Sequence, residues 1–308
     1  MKKEKFWKII CILAVIAYTV KSLFIGADMD EGYGIMAGYR LAMGDRLLLE
    51  MWEPHQTSAI FTAVFIKLFM MMTGGINYLN LYLRIVSLLI QGGVAVYLYK
   101  TLRKVWPGME QGTVTLLAML YYIVTPKCVY VPEYSNLHNW FFTLMILCML
   151  RYFFGEKKIS YLVWSGIFMT CDVLAYPSMV LVFICCMGYL LLHKSDRKWK
   201  ECAAYLLPCV ISAGAMSAYL CSYMAPATML QMVGEILNEG SHKMTLFEKI
   251  VSWSEGFAIV GALLILAAVA ALAVKLLITK LLKKKLPEGL QVPGLFFLTA
   301  VLLIQVWF

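Results

Sequence analysis

Apolar residues along this 308-residue chain gather into long runs and leave only short polar stretches between them. The runs cover roughly residues 7–26, 57–73, 80–100, 113–131, 138–154, 161–193, 201–223, 255–279 and 293–308. A run of about 18 or more apolar residues is what carries a helix across a hydrocarbon layer of about 30 Å. The pattern therefore predicts an all-α polytopic membrane protein, with all 308 residues forming a single transmembrane domain.

The polar stretches decide which runs cross. Lysine and arginine concentrate at Lys2–Lys8, at Lys100, Arg103 and Lys104, at Lys157 and Lys158, at Lys194–Lys200 and at Lys280–Lys285. The tendency of basic residues to stay on the cytoplasmic side puts all five clusters there. The N-terminal MKKEKFWK followed by IICILAVIAYTV has the charge and apolar core of a signal sequence without a convincing small-residue cleavage site, and so reads as an uncleaved anchor. After that first span an odd number of crossings must precede the cluster at Lys100, yet two runs lie in between. Segment 57–73, TSAIFTAVFIKLFMMMT, is short, carries Lys67 in its middle and ends at Gly74-Gly75, so it is expected to be a re-entrant or interfacial helix on the outer face. Residues 161–193 are expected to form a hairpin of two short helices with its tip at Asp172–Ser178, where Pro177 breaks the helix. The chain stops inside its last apolar run, which points either to an incomplete C-terminus or to a short final helix.

Composition sharpens this picture. Hydrophobic residues make up 62% and charged residues 15%, against about 45–50% and about 25% in ordinary soluble domains, which excludes a soluble globular enzyme. The net charge of +9 sits beside apolar runs, where anionic headgroups are the nearer partner, so membrane lipids and no nucleic acid are expected. The nine cysteines lie almost all inside apolar runs with no CxxC pair, as small buried apolar residues do.

This topology brings chemistry to the outer face. The first outer loop, residues 27–56, holds Asp28, Asp30, Glu31, Asp45, Glu50 and Glu53 against Arg40 and Arg46. Tyr33, Ile35, Met36, Leu41 and Met43 among small residues predict short amphipathic helices along the membrane surface, broken at Gly44. A second outer loop, VPEYSNLHN, adds Glu133, Tyr134, Ser135, Asn136, His138 and Asn139. Lys127, Arg84 and Asp172 stand in or beside apolar runs, where charge is costly and marks function by default. Each also has an ordinary structural use: Asp30 and Glu31 as dipole partners of a helix, Glu133 as a solvated carboxylate, His138 and Asp172 at helix ends, Lys127 and Arg84 snorkelling to headgroups.

The stretch DEGYGIMAGYRLAMGDRLLLEMWEPHQTSAIF resembles the GT-C superfamily of integral-membrane glycosyltransferases, of the protein O-mannosyltransferase and aminoarabinose-transferase type. Members commonly carry an acidic pair in the first outer loop, here Asp30-Glu31, and a His-Pro-Pro or similar element before a membrane-embedded helix. The corresponding element here is Glu53-Pro54-His55-Gln56, which keeps the histidine and lacks the two prolines after it. TPKCVYVPEYSNLHNWFFTLMILCMLRYF resembles the second outer loop with Glu133 at the acidic position, and WSGIFMTCDVLAYPSMVLVFICCMGYLLL resembles the paired short helices. The resemblance covers roughly residues 5–200.

It implies a GT-C-like helical bundle that transfers a sugar from a polyprenyl-phosphate donor to an acceptor outside the cytoplasm: a protein, a lipid or a cell-wall polymer. Inverting displacement at the anomeric carbon needs a base for the acceptor hydroxyl, and a carboxylate suits that role. Asp30 is the expected base, with Glu31 or Asp28 positioning the acceptor. Lys127, Arg84 or Arg40 would steady the leaving phosphate, and His55, Glu133, Tyr134, His138 and Asp172 would complete substrate binding. No cofactor is expected, the one exception that two outer acids allow being a divalent metal shared by Asp30 and Glu133. The competing readings are a transporter or flippase of lipid-linked sugars and a non-catalytic GT-C relative. The acids cluster at the outer boundary and no internal repeat is visible, which favours the enzyme.

Overall fold

The computed structural model describes residues 2–24, 29–51, 53–123 and 130–237, with isolated positions between 248 and 276. The expectations for Asp28, Lys127, most of the run 255–279, the run 293–308 and the Lys280–Lys285 cluster lie outside the described residues. Among the described residues every regular element is helical, apart from one isolated bridge between Leu47 and Met51. The chain forms two compact units, one of Met1–Pro107 with Leu117–Leu237 and one of Gly108–Leu116 with Asn238–Phe308. The first carries everything that follows.

Its helices are α1 (Lys2–Phe24), α2 (Met29–Met43), α3 (Ala59–Thr73), α4 (Leu79–Val105), α5 (Gln111–Ile123, shared with the second unit), α6 (Tyr134–Phe154), α7 (Ile159–Ala175), α8 (Val180–Leu192), α9 (Lys198–Cys221) and α10 (Pro226–Leu237). Among the described residues four helical stretches are long and apolar enough to cross a membrane: Gln56–Thr73, Leu79–Val105, Tyr134–Phe154 and Lys198–Cys221. The described residues are thus helical, with spans of the length and composition a membrane protein uses.

α4 and α6 run parallel and α7 runs back antiparallel along α6, in a stack whose register is pinned by polar contacts. Tyr97 meets Cys148 at 3.6 Å, Arg151 donates to Thr101 at 3.0 Å, and Ser165 donates to the Met145 carbonyl at 3.2 Å. A hydroxyl or guanidinium buried among apolar helices needs such a partner, because none is available from lipid. α7 and α9 approach closely at Gly166, where a Cβ would stand 2.2 Å from the Tyr205 carbonyl oxygen. α7 and α8 have 17 and 13 residues, or roughly 26 and 20 Å at about 1.5 Å per residue, so each alone is short of a full crossing. They are joined by a 3₁₀ turn, Pro177–Met179, in which Pro177 sets the backbone angle.

The first loop folds as a 15-residue helix, α2, stopped at Gly44 with a φ of 111° that favours glycine. α2 packs on α3. Phe69 of α3 meets Tyr82 near the start of α4 at 4.8 Å, while Phe61 meets Phe141 at 4.9 Å, next to Trp140, which donates to Gln91. α3 therefore lies beside the first half of α4, its N-terminal end level with the middle of that helix. Leu47, Leu48 and Met51 beyond α2 are buried with Leu220 and Met224, and Met229, Met232 and Ile236 of α10 pack against this group.

Candidate functional site

The starts of α2 and α6, the His55 segment and the end of α7 meet at one end of the stack. Asp30 is in the first turn of α2, where the helix dipole favours a carboxylate, and it accepts a hydrogen bond from the Tyr134 hydroxyl at 3.2 Å. The Tyr134 ring stacks on His55 at 4.3 Å with the planes 8° apart, and Tyr176 covers His55 at 4.7 Å. Tyr176 also lies 5.2 Å from the His138 ring, and His138 Nδ1 is 2.7 Å from Asp172 Oδ1. The result is a row of aromatic rings with a carboxylate at one end and a histidine–aspartate pair at the other. His55 is held there because Thr57 donates to the Leu174 carbonyl, and Gln56 accepts from the Leu48 amide at 2.7 Å.

Asp172 is fully buried, and its second oxygen, Oδ2, has no hydrogen-bond partner. With Nδ1 of His138 turned to Asp172, Nε2 is the ring nitrogen left for a substrate.

Glu133 stands beside this row in another role. It is the N-cap of α6, 1% exposed, and its carboxylate accepts from the amides of Ser135 and Asn136 at 2.9 Å and from the Ser135 hydroxyl. Burial pushes its carboxyl above the ordinary range, against the pull of these hydrogen bonds, and the nearby Asp30 charge adds to the rise. α2 passes so near that a Cβ on Gly34 would stand 2.5 Å from the Glu133 Cβ.

Glu31 adjoins Asp30 in sequence but not in environment. It is fully buried and takes both forks of Arg84, at 2.6 Å and 3.1 Å. Arg84 also donates to the Leu23 carbonyl at 3.1 Å and lies over the Tyr130 ring, so this pair ties α1, α2 and α4 together. Arg40 pairs with Asp45 at 2.6 Å near the surface, apart from the aromatic row. Of the expected site residues, the fold brings Asp30, His55, Tyr134, His138 and Asp172 into one row with Glu133 alongside, while Glu31 and Arg84 serve each other.

Two residues that the sequence did not mark as site residues join them. Tyr176, one residue before the hairpin proline, completes the stack. Tyr33 sits near the acids, and burial, followed by the charges of Glu53, Tyr134, Asp30 and Glu133, holds its phenol well above the usual range. Tyr33 thus stays a hydrogen-bond donor at any physiological pH. Its place on α2 three residues after Asp30 was the available signal, since i and i+3 share a helix face. Among the described residues no three of histidine, cysteine, aspartate and glutamate are grouped to hold a metal ion.

Compared with protein-family models, with curated proteins and with solved structures, the chain matches none.

Proposed function

We propose that the chain is a GT-C-type glycosyltransferase that moves a sugar from a polyprenyl-phosphate donor to an acceptor hydroxyl on the extracytoplasmic side, with Asp30 as general base. The observation that carries the reading is the aromatic row His55, Tyr134 and Tyr176 between Asp30 and the His138–Asp172 pair. Aromatic faces suit the apolar C–H faces of a sugar ring, and flanking polar groups suit its hydroxyls.

In the step proposed, Asp30 takes the proton of the acceptor hydroxyl as its oxygen bonds to the anomeric carbon. The bond from that carbon to the phosphate oxygen breaks, and its electron pair leaves with the lipid phosphate. Tyr134, bonded to Asp30, fixes the carboxylate direction. Tyr33, held protonated, and His138 through Nε2 supply hydrogen bonds to the donor. Arg84 and Arg40 are already committed to Glu31 and Asp45, which leaves Lys127, on the sequence alone, as the cation proposed for the leaving phosphate. Glu133 supports α6 beneath Tyr134 and is proposed as a positioning residue.

The test is to incubate membranes containing the protein, beside an Asp30→Asn variant, with a panel of radiolabelled polyprenyl-phosphate sugars and to follow label leaving the lipid. Loss of label that falls by about a hundredfold or more in Asp30→Asn is expected, since a positioned base contributes about 10²–10⁴ in rate. Unchanged transfer by Asp30→Asn removes Asp30 from the role. Label that crosses the membrane still attached to its lipid marks a flippase.

A further inference from the structure

At the end of the stack remote from the aromatic row, the turn between α6 and α7 meets the start of α9 around a cleft of about 360 Å³. Lys157, Lys158, Arg197 and Lys200 line it, with Tyr152 and Ser160. Lys158 is paired with Glu156 at 2.6 Å, and Glu156 is held down to about 2 by that lysine. Among the described residues Lys157, Arg197 and Lys200 have no carboxylate partner, so the cleft keeps an excess of positive charge.

The backbone adds to it. The first turns of α7 and α9 both border the cleft, and neither N-cap residue caps its helix with its own side chain, so two positive dipole ends lie beside the cleft, with Ser195 taking the amides of Arg197 and Lys198. Tyr152 is anchored by donating to the buried Glu201 at 2.6 Å, which also accepts from Ser195, so one wall is rigid. Lys157 adopts a φ of 51°, in the left-handed region that lysine rarely enters, and holds its charge at the rim. Three cations without a carboxylate partner and a fourth shared with Glu156, around a concavity at two helix starts, are an arrangement a multiply charged anion would stabilise.

We propose that this cleft binds a phosphate group, carried either by an anionic lipid headgroup of the adjoining leaflet or by a soluble phosphate compound. Binding rests on Lys157, Arg197, Lys200 and the amides of the first turns of α7 and α9. It is independent of the transferase reading, and Asp30→Asn is expected to bind as the unaltered protein does.

The full chain in phosphatidylcholine nanodiscs is titrated with pyrophosphate by calorimetry, and separately supplied with phosphatidylglycerol and analysed for retained lipid by native mass spectrometry. One saturable site is expected, weakened by about tenfold or more in an Arg197→Gln/Lys200→Gln double variant and unaffected in Lys100→Gln, whose lysine lies outside the cleft. Lys157→Gly serves as a second probe, because glycine accepts the left-handed backbone and the variant folds at least as well while binding weakens. Retention of phosphatidylglycerol without pyrophosphate binding identifies a lipid headgroup, and saturable pyrophosphate binding without retained lipid identifies a soluble phosphate. Uptake of neither probe, or variants that bind like the unaltered protein, overturns the proposal.

Discussion

Adjacent carboxylates at the start of α2 have different surroundings and therefore different expected fates on neutralisation. Asp30 is half-buried and hydrogen-bonded to a tyrosine, whereas Glu31 is fully buried against Arg84. Removing one partner of a buried pair strands the other charge, which costs about 3–5 kcal/mol. Glu31→Gln should accordingly lose stability in a denaturant titration in mild detergent, while Asp30→Asn should unfold like the unaltered protein and lose transfer. Glu133 offers a pH signature. Its folded carboxyl titrates above the ordinary value of 4.5 because of burial, so the native state holds the proton more tightly than the unfolded chain. The associated stability is fully present below that ordinary value and is lost as pH rises through the folded one. Glu133→Gln, which keeps an acceptor for the α6 amides, should flatten that decline. Melting temperatures of the two proteins that stay parallel from acid to neutral pH would refute the assignment.

Helices in this chain are easy to recognise from apolar runs, but their contacts depend on small residues that no run reveals. Gly32 and Gly34 stand two apart on α2, and a Cβ at Gly32 meets nothing within 4 Å while one at Gly34 meets Glu133. Gly34→Ala should cost about 1–3 kcal/mol through overpacking and displace the α6 cap. Gly32→Ala should gain about 0.5–1 kcal/mol, as alanine generally does over glycine within a helix. Equal effects of the two on melting temperature and transfer rate would mean that α2 and α6 do not touch as described. α10 was not among the apolar runs, because its apolar side is interleaved with polar residues and becomes meaningful only against Leu47, Leu48 and Met51.

On the scale of the molecule, α6 joins the two candidate sites: its N-cap Glu133 lies beside the aromatic row and Tyr152, near its other end, borders the basic cleft. At about 1.5 Å per residue these ends are roughly 30 Å apart, the thickness of a hydrocarbon core. α3 tests the side assigned to each. Its stretch from Gln56 to Thr73 is long and apolar enough to cross, yet it lies beside only the first half of α4. In a background without reactive cysteines, Gly75→Cys should be labelled by an impermeant thiol reagent from outside intact cells. Labelling only after permeabilisation would reverse the topology.

The amino-acid sequence by itself determined that the chain is helical, with helices apolar and long enough to span a membrane, because the free energy of moving apolar runs out of water depends on composition and length and not on neighbours. It also marked Asp30, His55, Tyr134, His138 and Asp172, since charged and polar side chains beside such runs are too costly to be incidental. Tertiary structure decided how they are paired. Asp30 and Glu31 are chemically alike and adjacent, and only the approach of Arg84, 53 positions away, separates a buried ion pair from a carboxylate beside an aromatic row. Tyr176 and His55 likewise stack only when α7 and the first loop meet. Stacking is a contact between surfaces, and contacts between residues distant in the chain arise only once the helices have packed.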